Sequence, residues 1–218
     1  MLPSLPSLDQ PDALRASHGF SEAANWLVPG HVLLGANPSK GRGGCLNRVV
    51  SYSEAGCSTW VSLQAELPPM DSDQPFPFGL ENYAVEARAV APTTQAGSAR
   101  FVRFPIEDLR PAESVEWLSG VVDELAARVL QGEVLYLHCF AGRGRTGLVA
   151  ACLLGKLYPG IGAEEALQRV GAYYRLRASY GVSASRAQDG MSPETEPQRQ
   201  QVRDFYAQHA SGPAVGEL

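Results

Sequence analysis

Two residues six positions apart, Cys139 and Arg145, stand in the run VLYLHCFAGRGRTGLVAACLL (residues 134–154). An apolar stretch of strand length leads into a glycine-rich turn, and the turn leads straight into an apolar helix. Such a turn aims backbone N–H groups inward, and the helix dipole adds partial positive charge at the same point. Gly142, Gly144 and Gly147 remove side chains where backbone must come close to a ligand. The cradle suits a tetrahedral oxyanion such as phosphate. A cysteine at its base, among N–H donors, is held toward the nucleophilic thiolate. A guanidinium at its far end can clamp two phosphate oxygens and stabilise the charge of a transition state. Cys139 is therefore the candidate nucleophile toward phosphorus, and Arg145 the cation that holds the phosphoryl group. The competing reading of Cys139 is a small apolar side chain packed in a tight turn. That reading does not call for this loop.

Other elements must position this run. HVLLGANP (residues 31–38) reads as a strand, and residues 39–44, with Gly-Arg-Gly-Gly, as a loop that lacks the Gly-Lys-Ser/Thr of a P-loop. A short helix is expected over 46–56, a strand over 58–66, and a proline-rich surface loop over 67–79. Strands are expected at 83–90 and 100–105, with a loop of small residues over 91–100. The clearest helix spans 112–130, where Val115, Leu118, Val121, Val122, Leu125, Val129 and Leu130 form one apolar stripe. Helices are also expected over 146–158 and 163–176. Ser192-Pro193-Glu194 reads as cap and first turn of a last helix carrying Val202, Phe205 and Tyr206. Early strands, late helices and buried strand-to-helix joins imply an α/β domain with a central, mostly parallel sheet flanked by helices on both faces. The expected organisation is a mobile lead-in (1–24), one domain (25–210) and a loose tail (211–218).

Composition narrows the function classes. The chain has 218 residues, 44% of them hydrophobic, and a formal charge of 18 − 23 = −5. That is enough apolar material for a core. Only Lys40 and Lys156 are lysines and no basic run exists, so a nucleic-acid binder is not expected. The longest apolar stretch, residues 148–154, is far short of a membrane span, and the first twenty residues resemble neither a secretory signal nor a transit peptide. Cys45, Cys57, Cys139 and Cys152 have wide, irregular spacings and form no CxxC pair. Reduced thiols in a cytoplasmic or nuclear compartment are expected, with no zinc site and no cofactor. An acidic chain that handles an anion must concentrate positive charge at one place. Arg143 and Arg145 in the glycine-rich turn are the candidates.

HCFAGRGRTG (residues 138–147) resembles the H-C-x5-R-[S/T]-G signature of the cysteine-dependent protein tyrosine phosphatases. The flanking segments WLVPGHVLLGANP, AGCSTWVSLQAE and FPIEDLRPAE are similar in order and spacing to the early strands and general-acid loop of small dual-specificity members of the kinase-associated-phosphatase type. The likeness covers residues 26–206 and is weak in the two Pro- and Ala-rich loops. It implies a phosphocysteine mechanism on Cys139, with Phe140, Ala141, Gly142, Arg143, Gly144 and Arg145 binding phosphate. By the same resemblance Asp108 is the general acid, with Glu107 as competitor. Thr146 assists the thiolate and His138 orients the loop. Either Gln198 or Gln201 positions water. Arg143 resembles the basic loop position of the tensin-type lipid phosphatases, which keeps phosphoinositides and inositol phosphates beside phosphorylated proteins as substrates. A phosphate-binding module without turnover is a further alternative. Arg169, Arg175 and Arg177 bracket a helix end, where one of them could line the substrate groove. Cys45 or Cys57 could serve as a resolving thiol, and Cys152 belongs to the core. A monomer is expected.

Overall fold

Val, Leu and Ile cluster where the sheet is buried, and the strands follow them. The computed structural model describes residues 1–40, 44–91, 97–177 and 191–209. β1 (Ala24–Val28) and β2 (Val32–Ala36) form an antiparallel pair; β3 (Thr59–Gln64), β4 (Arg100–Ile106) and β5 (Leu135–Cys139) run parallel to β2. The order across the sheet is β1-β2-β5-β3-β4, which puts β5 at the centre with all five residues buried. This is the expected mostly parallel sheet.

The period of two divides β5 between two layers. Leu135, Leu137 and Cys139 join the larger core with α4 (Val115–Leu130), α5 (Gly144–Leu157), α6 (Ala163–Arg175) and α7 (Glu196–His209). Tyr136 joins an aromatic core with Tyr52, Trp60 and Tyr83, covered by α2 (Cys45–Glu54) and α3 (Ala84–Val90). α5 is buried along almost its whole length against α4, α6 and α7, which is why its sequence is apolar all round. Ser114 caps α4, accepting a hydrogen bond from the Trp117 N–H at 3.1 Å, so that helix starts with its apolar stripe at Val115, three residues later than the expected span.

Three expectations need correction. Residues 83–90 form helix α3, not a strand. Ala84 and Ala87 share one buried face at helical spacing, and Asn82 Oδ1 accepts the Ala84 N–H at its start. Residues 1–24 are not a loose lead-in: they carry α1 (Pro11–His18) and are tied to the body. Leu2, Leu5 and Leu8, at a spacing of three, pack on the main core, while Tyr158 Oη and Arg169 Nη1 donate to the carbonyls of Pro3 and Pro6. The last helix starts at Glu196 rather than in Ser192-Pro193-Glu194. Thr195 and Gln198 supply its capping bonds, Gln198 Oε1 accepting the N–H groups of Glu194 and Thr195. The tail expectation, residues 41–43 of the glycine loop and residues 92–96 of the 91–100 loop lie outside the described residues.

Candidate active site

β2, β3, β4 and β5 all end at one edge of the sheet, and the chemistry collects there. Cys139 is the last residue of β5 and is 2% exposed. The turn after it presses against the end of β2. Gly142 has φ +65°, and a Cβ there would stand 2.2 Å from the Gly35 carbonyl oxygen, so no other residue fits. The Phe140 carbonyl accepts from the Asn37 N–H (3.3 Å), the Ala141 carbonyl from Arg177 Nη1 (3.5 Å), and the Arg143 carbonyl from Ser192 Oγ (2.8 Å). In a planar trans peptide, C=O and N–H point in opposite directions. Carbonyls held from outside the turn therefore direct the N–H groups of Ala141, Gly142 and Gly144 to its inner side. Arg145 Nε and Thr146 Oγ1 are buried and have no hydrogen-bond partner. Both donors lie in the residues that the signature assigns to phosphate and thiolate.

Arg145 is 1% exposed and closely fixed. Nη1 and Nη2 form a two-pronged pair with Glu66 at 2.6 and 3.0 Å, Nη1 also donates to the Ile106 carbonyl at 3.1 Å, and Nη2 lies 2.9 Å from Asp108 Oδ1. Glu66 is itself held by Gln64 Nε2 (3.0 Å), and Gln64 Oε1 accepts from Asn37 Nδ2 (3.0 Å). Burial pushes the Glu66 carboxyl up, but the Arg145 hydrogen bonds and charge, together with a backbone N–H and Gln64, hold the group below the usual carboxylate range. Glu66 is the positioning residue that sequence reasoning missed. It follows β3 as Asp108 follows β4 and Cys139 ends β5, so the carboxyl ends of parallel strands were the available signal.

Asp108 lies on the loop after β4 with a side chain 66% exposed, beside Arg145 and open to the cavity. Leu109, next to it, has φ +62°, a left-handed backbone that a γ-branched residue rarely adopts. The start of α7 holds this loop. Thr195 Oγ1 donates to the Leu109 carbonyl, Gln198 Nε2 to the Arg110 carbonyl, and Gln201 forms a double bond pair with the Ala112 N–H and C=O. Gln198 also packs against Gly144 at the head of α5. Gln198 thus touches both the loop and the cradle, whereas Gln201 serves the loop. Glu107 does not line the cavity.

His138 supports the strand from behind. Its Nε2 lies 2.6 Å from Tyr83 Oη and its Nδ1 3.4 Å from the Cys139 carbonyl. Burial lowers its pKa to about 3, which keeps the ring neutral. Arg143 lines the cavity, its Nε donating to the Met191 carbonyl at 2.7 Å and its guanidinium 3.6 Å from Glu194. Arg177, not Arg169 or Arg175, lines the cavity. The four cysteines are free. Burial pushes the Cys45 thiol up to about 12 and raises Cys57 and Cys152 as well, which suits packing rather than redox exchange. No group of potential metal ligands occurs among the described residues, and none of the described helices is long and apolar enough to cross a membrane.

Cys139, Phe140, Ala141, Arg143, Gly144, Asp108 and Arg177 share a cavity of about 540 Å³. Residues 178–190 lie outside the described residues.

A family model described as the DSP-PTPase phosphatase domain of a Swiss Army Knife protein matches residues 21–202. Solved structures of the same fold include Tk-PTP in its active form, 20% identical, with a TM-score of 0.55, over 85% of this chain and 97% of that one. Kinase-associated phosphatase with its catalytic cysteine changed to serine is 19% identical, with a TM-score of 0.56, over 84% and 89%. PTPMT1 in complex with PI(5)P is 18% identical, with a TM-score of 0.55, over 84% and 94%. Among curated proteins no match is found.

Proposed function

The chain belongs to the DSP-PTPase phosphatase family, and from that premise we propose that it hydrolyses phosphate monoesters through a phosphocysteine on Cys139, with phosphotyrosine- and phosphothreonine-bearing proteins as substrates. The observation that carries this reading is that nucleophile and acid line one cavity, with the Asp108 carboxylate 2.9 Å from the buried Arg145 guanidinium. Cys139 Sγ attacks phosphorus while the ester oxygen leaves with a proton from Asp108. Inward N–H groups and Arg145 carry the charge of the three equatorial oxygens. Water then attacks the phosphocysteine and gives its proton to Asp108; the S–P bond breaks, releasing phosphate and restoring the thiolate. Thr146 Oγ1, buried without a partner, is available to hydrogen-bond that leaving sulfur.

Turnover of an aryl phosphate in the presence of chelator tests the reading. Activity should vanish in Cys139→Ser; wild type no faster than that variant would leave a binding module without turnover. The proposed setting is a monomer in a reducing, cytoplasmic compartment, which the four free thiols support. A second reading, a phosphoinositide or inositol-phosphate substrate, is favoured by the cationic lining of Lys40, Arg48, Arg143 and Arg177, and one neighbour of this fold holds PI(5)P. Comparing kcat/KM on phosphopeptides, soluble inositol phosphates and phosphoinositide vesicles separates the two.

A further inference from the structure

Three arginines are buried among the described residues: Arg145, Arg169 and Arg177. Two of them have carboxylate partners, Arg145 in Glu66 and Asp108 and Arg169 in Glu165 at 2.7 Å. Arg177 differs. It is 3% exposed, and its bonds go to neutral acceptors: Nε to Asn25 Oδ1 at 2.7 Å, Nη2 to the Leu34 carbonyl at 3.1 Å, Nη1 to the Ala141 carbonyl at 3.5 Å. Its guanidinium lies 4.9 Å from the centre of the Tyr174 ring. Among the described residues no carboxylate lies within ion-pair distance of it.

These bonds satisfy its donors without answering its charge, and a buried guanidinium is costly unless an anion compensates it. Other arginines around the cavity are answered. Arg143 lies 3.6 Å from Glu194, Arg48 lies 3.7 Å from Glu22, and Arg145 faces two carboxylates. A Cys139 thiolate and a phosphoryl dianion would add three negative charges beside Glu66 and Asp108. Arg177 lines the same cavity and holds the outer side of the phosphate-binding turn through the Ala141 carbonyl. Asn25, its shortest partner, is 1% exposed and has the shape of aspartate without the charge.

We propose that Arg177 is a second anion-receiving charge of this cavity, beside Arg145, and that a neutral residue at Asn25 holds its guanidinium in place while leaving its field to the phosphate of the ligand. The inference rests on the phosphatase reading of the same cavity and adds to it a binding residue outside the signature. The role expected of Arg143 thereby passes in part to a residue 34 positions further along the chain.

Titration calorimetry with inorganic phosphate tests it on the full chain. Asn25→Asp keeps an acceptor for Arg177 and cancels its charge, so phosphate affinity should fall roughly tenfold. Arg177→Lys keeps the charge and should lose at most about threefold, while Arg177→Met should lose at least as much as Asn25→Asp. Equal phosphate affinity in folded Asn25→Asp and wild type overturns the inference. If Asn25→Asp does not fold, Arg177→Lys against Arg177→Met decides: equal affinities overturn the inference, and a tenfold gap supports it. A wild type that binds no phosphate overturns the phosphatase reading itself, a result distinct from either of these.

Discussion

Cys139 and Asp108 face one cavity from supports of opposite kind. Cys139 ends the central strand, is flanked by β2 and β3, and leads into a helix buried along its length. Its neighbours Arg145, Thr146 and His138 are each at most 1% exposed. Asp108 stands on an exposed loop whose next residue has a left-handed backbone, and that loop is held from the far end of the chain by Thr195, Gln198 and Gln201. On the proposed mechanism the nucleophile meets phosphorus at one fixed point, and close core packing holds it there. The proposed acid serves first a leaving group and then a water, and its tether is a set of hydrogen bonds instead of a core. Arg145 joins the two sides: it belongs to the buried helix, yet both Glu66 and Asp108 end on it.

After the loss of all turnover expected of Cys139→Ser on the buried side, the largest effect should come from breaking the exposed side. Asp108→Ala removes the proton donor and should cut kcat on an alkyl or peptide phosphate roughly 10²- to 10⁴-fold. Phosphate affinity, measured by calorimetry, should hold or tighten, since Asp108 no longer competes for Arg145. Glu107→Ala should change kcat by less than about threefold, because Glu107 does not line the cavity. A large loss in Glu107→Ala with none in Asp108→Ala would move the acid and dissolve the comparison.

Next in size is the link between the sides. Glu66→Gln keeps the shape at Arg145 but gives up one prong of a two-pronged charged pair. A guanidinium displaced by a fraction of an ångström should lower kcat roughly ten- to hundredfold. Phosphate affinity should not weaken, because the variant leaves Arg145 with less opposing charge. A drop in affinity with kcat preserved would show that Glu66 acts on binding and not on the alignment of Arg145.

Much of the buried side could be read in the sequence because it is contiguous. Strand, turn and helix succeed one another within residues 134–154, and each shows its own pattern of apolar residues and glycines. Asp108 was reachable through chemistry: a leaving oxygen needs an acid, and FPIEDLRPA follows a strand. Glu66 was not, since one carboxylate after a strand looks like any solvated residue until the sheet aligns four strand ends. Arg177 gave a weaker signal of the same kind, because its meaning depends on Asn25, distant in sequence and uncharged. Residues 83–90 failed on local pattern, for Ala-Val-Glu-Ala-Arg-Ala-Val suits an alternating strand almost as well as a helix. In the lead-in, proline and serine suggest mobility, and the leucines at every third position that fasten it show neither a helical nor a strand period.

The smallest effect sharpens the contrast through acid. His138 on the buried side has its pKa lowered by burial to about 3, and His18, buried on α1 and stacked on Tyr173, has its own lowered to about 4. The loop over residues 107–112 contains no histidine. Unfolding returns each ring to a pKa near 6.5, so below that pH the unfolded chain binds protons that the folded chain refuses. The stability contributed by the neutral rings is fully present above pH 6.5 and is lost as pH falls toward 4 and then 3. At pH 5.5 each histidine should cost about 1.4 kcal/mol relative to pH 7.5, read from urea unfolding at the two values. His18→Phe keeps the stack on Tyr173 and should remove about half of that loss while leaving catalysis alone. An acid loss unchanged in His18→Phe would exclude α1 from the effect, and a stability flat between pH 7.5 and 5.5 would mean that neither ring is neutralised by burial. If the loss remains confined to the histidines, acid attacks the fold through the buried side that carries the nucleophile, while the tethered acid loop stays in place.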